Sequence, residues 1–194
     1  MPSPDGELIQ RIIHHDLSAF DELFKKYQNS AYRFACYLTQ NRNDADDLFQ
    51  ETWFRAVKYL PTSSNIRDFK AWILTIVANL HRDELRKKKI RRLFSFQRWS
   101  EQSNTDSNQS ETNVHESQMM TTDESNKVDI VLALKKAIGA LPMKQRRIFI
   151  LKEIEGLKHS EISEMLNVPV GTIKSLLHRA IKNLQKELSE FRGE

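Results

Sequence analysis

The 194-residue sequence predicts an all-α protein, with two small helical domains joined by a flexible acidic linker. Three observations carry this. Apolar residues recur three and four apart over most of the chain, the spacing of one helix face. No convincing run of strict apolar–polar alternation occurs, so strands are not expected. Residues 100–127, SEQSNTDSNQSETNVHESQMMTTDESNK, break the helical pattern. Val114, Met119 and Met120 are their only aliphatic or sulfur-bearing apolar residues, and acids outnumber bases six to one. Such a stretch buries too little apolar surface to offset its chain entropy. The expected boundaries are an N-terminal domain over 7–98, a linker over 99–127 and a C-terminal domain over 128–192.

Charged residues make up 29% and apolar residues 39%, as in soluble globular proteins. No apolar run approaches the ~18 residues of a membrane span. The start, MPSPDGELIQ, lacks the features of a secretion signal. A cytoplasmic protein without direct membrane insertion is expected. The single cysteine, Cys36, excludes an internal disulfide and is too few for a thiolate metal cluster. A net charge of +4 is a weak pointer to nucleic acid, and its distribution says more.

The helical series opens with Leu8, Ile9, Ile12 and Ile13. Phe20, Leu23, Phe24 and Tyr27 follow, then Ala31, Phe34, Ala35 and Leu38. Ser18, with Asp21 three residues on, resembles a helix N-cap. The next helix carries Ala45, Leu48, Phe49, Trp53, Ala56 and Val57. Another carries Phe69, Trp72, Ile73, Ile76, Val77, Leu80 and Leu85. Beyond the linker, periodicity resumes with Ile130, Leu134, Ala137 and Ile138, and Pro142 punctuates it. Ile148, Phe149 and Leu151 make a helix that Gly156 ends. A short helix over His159–Leu166, with Ser160 as its cap, leads into the turn Asn167-Val168-Pro169.

On a helical wheel, Ile173, Leu177, Ala180, Ile181, Leu184 and Leu188 form one apolar stripe. Opposite lie Ser175, His178, Arg179 and Lys182, with Thr172 and Lys174 flanking. A short helix, a tight turn and a second amphipathic helix make a helix-turn-helix. In that motif the start of the second helix enters the DNA major groove, where Arg can take guanine bidentately. A merely solvated polar face fits these residues about as well. No other His or Cys stands at zinc spacing from His178.

The N-terminal half carries two charged features. The segment NDADDLFQE places Asp44, Asp46, Asp47 and Glu51 at one helix start. The helix dipole accounts for Asp44 and Asp46, but Glu51 lies beyond its reach. A catalytic carboxylate pair would need a partner histidine, nucleophile or glycine-rich loop, and none is placed to serve, so no catalytic residue is expected. The segment HRDELRKKKIRRLFSFQR, from His81 to Arg98, sets eight Lys or Arg against two acids. A solvated helix end explains two or three of these; that density matches phosphate contact.

The segments NDADDLFQETWFRAVKYL, FKAWILTIVANLHRDELRKKK and ALPMKQRRIFILKEIEGLKHSEISEMLNVPVGTIKSLLHRAIKNL together resemble bacterial sigma factors of the extracytoplasmic-function (ECF) group. The resemblance covers nearly the whole chain outside the linker. It implies an N-terminal domain that binds core RNA polymerase and opens the promoter at its −10 element. It implies a C-terminal domain that reads the −35 element. By the resemblance, Asp44, Asp46, Asp47, Gln50 and Glu51 meet the clamp coiled coil of the largest polymerase subunit. The −10 reader is the loop from Leu60 to Asp68 with the helix after it. Ser63, Ser64, Asn65 and Asn79 could supply polar contacts to a flipped base, and Tyr59, Phe69 or Trp72 a stacking surface. Arg82, Arg86, Lys87 and Lys88 would follow the DNA backbone. The −35 readers would be Thr172, Lys174, Ser175, His178 and Arg179. An anti-sigma partner is implied too, often one tethered to the membrane. No metal, cofactor or small-molecule substrate is expected. Two departures matter. The −10 loop varies within the family, so its base preference does not carry over. Leu176 stands where many relatives have Arg or Lys, and could meet a thymine methyl or lack a phosphate contact. A stand-alone helix-turn-helix regulator and a nuclease built on the carboxylates near Asp44 are the competing readings.

Overall fold

The computed structural model describes residues 4–14, 16–63, 66, 68–99 and 122–191, and every regular element among them is helical. In order they are α1 (Pro4–Ile13), α2 (Leu17–Thr39), α3 (Arg42–Tyr59), α4 (Phe69–Trp99), α5 (Thr122–Ala140), α6 (Met143–Phe149), α7 (His159–Leu166) and α8 (Val170–Phe191). A 3-10 turn over Leu60–Thr62 follows α3, and a π turn over Ile150–Ile154 extends α6. The expected linker over 99–127 lies mostly outside the described residues. Its two ends do not: Trp99 closes α4, and residues from Thr122 onward are helical. The sequence TDESN is itself a helix-start pattern, which the composition of the whole stretch concealed.

Helices α1 to α4 pack on one another around Leu23, Phe34, Leu38, Leu48, Leu60, Phe69, Ile73 and Leu74. An aromatic seam strengthens this core. Trp53 meets Phe24 with centroids 4.7 Å apart, and Tyr27 meets Phe69 at 5.3 Å. Both fall in the favourable range for offset and edge contacts. Helix α1 is pinned through a buried acid, Asp5, which accepts from Lys26 Nζ at 2.5 Å and from the Tyr27 hydroxyl. In the C-terminal half, α5, α6 and α7 all pack on α8. Ile138, Ile150, Leu151, Ile162, Ile173 and Leu184 fill that interior. The two halves also touch: α7 lies against α4, and α2 lies against α5 and α6.

The caps differ from the expectation at two helices. Asp16, not Ser18, caps α2, accepting from Ser18 N at 2.9 Å and Ser18 Oγ at 2.6 Å. Arg11 holds Asp16 in place with a contact of 2.8 Å. The carboxylate outcompetes the hydroxyl as an acceptor at this point. Lys158, not Ser160, precedes α7, where the Glu161 carboxylate accepts from the Lys158 backbone N–H at 2.7 Å. Gly156 does end the helix before it, at φ +74, a conformation that costs glycine little.

Some expected core positions face solvent. Val57 is 53% exposed, Ile130 65%, and Leu85, Leu134 and Ile181 also lie open. Periodicity identifies a stripe but not how much of it a short partner helix can cover.

His81, on α4, is only 4% exposed, and its Nδ1 has no hydrogen-bond partner. Burial, followed by the charges of Arg147, Lys88 and Arg146, pushes its pKa down to about 4. Unfolded histidine keeps its ordinary value of about 6.5. Below that pH the unfolded chain takes up a proton that the folded chain refuses. The contribution of neutral His81 is therefore complete above about pH 6.5 and is lost progressively as pH falls toward about 4. The denaturant midpoint is expected to drop between about pH 7 and pH 5, and to drop less in His81→Gln. Equal drops in the two proteins would refute this origin.

Candidate functional site

The C-terminal surface is built from a short helix and a sharp turn. Asn167 adopts the left-handed conformation, with φ 52, and its N–H reaches the Glu164 and Ser163 carbonyls. Asparagine tolerates that conformation better than most residues. Ser163 Oγ donates to the Val168 carbonyl at 2.7 Å, and Val168 N donates to Ser163 O at 3.1 Å. The turn is thus held from both sides. Pro169 then accepts from Thr172 N and Ile173 N, which starts α8. Ile162 on α7 and Ile173, Leu177, Ala180 and Leu184 on α8 are buried together. This burial turns the opposite side of α8 outward. Thr172, Lys174, Ser175, His178 and Arg179 are all exposed, as is Lys182. Among the described residues, none of these cations pairs with an acid. Leu176 is partly buried and packs against the core. Its place is therefore in the packing of α8, and not on the outward row.

The acidic segment divides by function within one helix. Asn41 caps α3 by accepting from Asp44 N at 3.0 Å. Asp44 meets Lys88 of α4 at 2.8 Å. Asp46 turns inward and accepts from the Tyr32 hydroxyl at 2.8 Å, a bond that helps push the Tyr32 pKa up to about 12. Asp47, Gln50 and Glu51 are exposed. With Phe54, Asp83, Glu84 and Lys87 they line an open groove of about 920 Å³ between α3 and α4. Burial, then Asp44 and Asp47, push the Glu84 carboxyl up; Arg55, Arg86 and Lys87 stand beside the acids of the groove, and Arg55 pairs with Glu51 at 2.8 Å. Phe54 stands out in it at 67% exposure. The core periodicity passed over this residue. The signal lay instead in its register with the acids, since 47, 50, 51 and 54 share one helix face.

The third region is partly described. Ser64 and Asn65 lie outside the described residues. Ser63 Oγ donates to the Tyr59 carbonyl at 2.8 Å, closing the 3-10 turn. Phe69 is fully buried against Tyr27, Trp53 and Trp72, so it has no face free to stack on a base. Tyr59 is 47% exposed and Trp72 half-buried, which leaves those two as available aromatic surfaces. Asn79 is half-buried, whereas Arg82, Arg86, Lys87 and Lys88 are exposed. These cations do not form one track. Arg86 and Lys87 edge the groove, Lys88 is engaged by Asp44, and Arg82 lies outside both groups.

The family Sigma-70 region 2 matches residues 23–91, and the family Sigma-70, region 4 matches residues 132–184, together more than half of the chain. The chain belongs to the ECF sigma factors. This sigma factor is 28% identical to the ECF RNA polymerase sigma factor SigW of Bacillus subtilis, over 94% of its own length and 96% of that relative. It is 29% identical to the ECF RNA polymerase sigma factor SigE of Mycolicibacterium smegmatis, over 92% of its own length and 65% of that relative. Among solved structures, it is similar to the sigma factor RpoE, in complex with the anti-sigma factor NepR from Bartonella quintana. That likeness has a TM-score of 0.67 and 25% identity, over 88% of this chain and 96% of that one. The fold is also that of CnrH, solved with the cytosolic domain of CnrY, at a TM-score of 0.65 over 94% of this chain and 96% of that one. A sigma factor binds core RNA polymerase and directs promoter-specific initiation. Region 2 lies in α2 to α4 and region 4 in α5 to α8. No described helix is long and apolar enough to cross a membrane.

Proposed function

We propose that three surfaces share the work of this sigma factor. The N-terminal domain, over 7–98, binds polymerase through the groove between α3 and α4 and meets the −10 element through the turn after α3 and the start of α4. The C-terminal domain, over 128–192, reads the −35 element with α8. The observation that carries the reading is the outward row of α8. Five polar or basic side chains stand exposed at the start of a helix whose other side buries Ile173, Leu177, Ala180 and Leu184 in the core. Within the polymerase surface, Asp47, Gln50 and Glu51 make the contact, with Phe54 as its apolar centre. Asp44 and Asp46 act through Lys88 and Tyr32, holding the groove in shape. The DNA contacts at −10 come from Ser63, Ser64, Asn65, Asn79 and Arg82, with Tyr59 and Trp72 available to stack. The protein works in the cytoplasm as a binding and initiation factor, with no catalysis of its own. An anti-sigma factor controls it; the likeness to RpoE, solved with its own anti-sigma factor, supports this.

The test is transcription from a promoter library with core polymerase, with and without the protein, followed by sequencing of the transcript starts. New start sites sharing two spaced elements are expected. Specific duplex binding without core, and no new starts, would instead indicate a stand-alone regulator. Within this reading, Arg179→Ala should cost about 1–3 kcal/mol in recognition of the upstream element. An equal loss on scrambled DNA would make Arg179 a phosphate contact and not a base reader.

A further inference from the structure

Helix α1 lies outside the stretch that matches Sigma-70 region 2, which begins at residue 23. It nevertheless packs on two parts of that region. One is α2, and the other is the 3-10 turn Leu60–Thr62, which opens the loop assigned to the −10 element. Ile9 and Ile12 of α1 are buried, and so is Leu60 of the turn. Helix α1 therefore covers the entrance of that loop.

A polar cluster fixes α1 in this place. Asp5, in its first turn, is buried. Lys26 Nζ donates to Oδ1 at 2.5 Å, and the Tyr27 hydroxyl donates to Oδ2. Each carboxylate oxygen thus has its own donor, which offsets the cost of taking the acid out of water. Lys26 Nζ also stands 5.1 Å from the centroid of the Tyr27 ring, within cation–π range. Burial, and then the bond to Asp5, push the Tyr27 pKa up to about 12, so the hydroxyl remains a donor at neutral pH.

Tyr27 carries this arrangement to the other end of the loop. Its ring meets Phe69, the first residue of α4, at 5.3 Å, and Phe69 meets Trp72 at 5.5 Å. Asp68, just before Phe69, accepts from Ala71 N at 3.0 Å and so starts α4. Ile66, within the loop, packs against the same core. The helix over the entrance and the residue at the exit are thus tied to one side chain. A loop with both ends held presents its polar groups with less freedom left to lose, and reading a single base needs that preorganisation.

We propose that Asp5 is a positioning residue for −10 recognition, acting through Tyr27. The bond between them sets the spacing between the turn at Leu60 and the start of α4. This role deepens the assignment of the loop to the −10 element and rests on it. Both residues are buried, so neither touches the DNA. Loss of the bond loosens the loop and leaves the polymerase surface on α3 in place.

The test uses the full chain bound to core polymerase, with short fluorescent single-stranded DNAs. One strand carries the downstream element of a promoter returned by the library experiment, and the others each differ from it by one base. The ratio of affinities for that strand and for its weakest one-base variant measures discrimination. Tyr27→Phe keeps the ring against Phe69 and removes only the hydroxyl. It is expected to lower the ratio about fivefold, the equilibrium factor of one intramolecular hydrogen bond, with affinity for core unchanged. Asp5→Ala should lower the ratio at least as far. Asp5→Asn, whose amide oxygen still accepts from Tyr27, should recover part of it. A parent-like ratio in Tyr27→Phe would overturn the proposal. So would a fall in core affinity in step with the ratio, which marks a general loss of structure. Absence of discrimination by the parent protein would instead overturn the −10 assignment itself, and the positioning role with it.

Discussion

Replacing Arg146 with alanine should destabilise the C-terminal domain by about 3 kcal/mol, in the upper part of the range for single substitutions. Arg146 is only 7% exposed and lies on α6. Its Nε donates to the Ile138 carbonyl at 3.1 Å, and its Nη2 donates to the carbonyls of Leu141, at 3.1 Å, and Gly139. These carbonyls belong to the end of α5 and the residues just after it, where a helix runs out of its own donors. The positive charge also faces the negative end of the α5 dipole. One side chain thus satisfies three acceptors in a place that excludes water. Alanine would take the side-chain donor from all three, leaving the Ile138 carbonyl only the Leu141 N–H at 3.2 Å, and methionine would fill the space without supplying a donor. Chemical denaturation followed by circular dichroism should therefore show a similar loss in Arg146→Ala and Arg146→Met. A loss well under 1 kcal/mol in Arg146→Met would mean that packing, and not hydrogen bonding, is what Arg146 contributes.

Phe54→Ala should weaken binding to core polymerase by about 30-fold or more, equivalent to about 2 kcal/mol, the usual threshold of an interface hot spot. Phe54 is 67% exposed beside Asp47, Gln50 and Glu51, with Val57 of the same helix also open at 53%. A solvated aromatic ring contributes little to folding, so stability should change by no more than about 0.5 kcal/mol. Asp47→Ala should have a smaller effect on affinity, and one that fades as salt rises, because an exposed charge acts largely through screened attraction. Competition against a labelled parent protein for limiting core separates the two. Unchanged competition by a folded Phe54→Ala protein would remove the groove from the polymerase interface.

The two results probe features of different legibility. The outward row from Thr172 to Arg179 was readable in advance. It needs only helical geometry and an apolar stripe on the other side, and both are properties of the local sequence. The acidic segment was readable as a unit but not by parts. Asp46 and Asp47 are neighbours of the same type, yet one bonds Tyr32 on another helix and the other faces solvent. Which of them serves structure depends on where α2 passes. Phe69 and Leu176 show the same limit from the other side. Each sat plausibly at a reading surface in the sequence, and each is drawn into packing because a neighbouring element covers it. Arg146 carried no signal at all, since a surface helix and a buried cap both accept arginine in a sequence such as MKQRRIF.

The amino-acid sequence by itself determined the all-helical class, the two sigma-70 regions and the helix-turn-helix. The first and third follow from periodicity and turn residues, and the second from motifs that resemble those of the family, each within short stretches of chain. Only the tertiary structure decided which charges are buried, which are paired and which are free. Arg33, Lys70 and Glu155 are far apart along the chain, and no local pattern links them. Their meeting depends on how two packed domains lie against each other, and a buried charge takes its meaning from the partners that surround it.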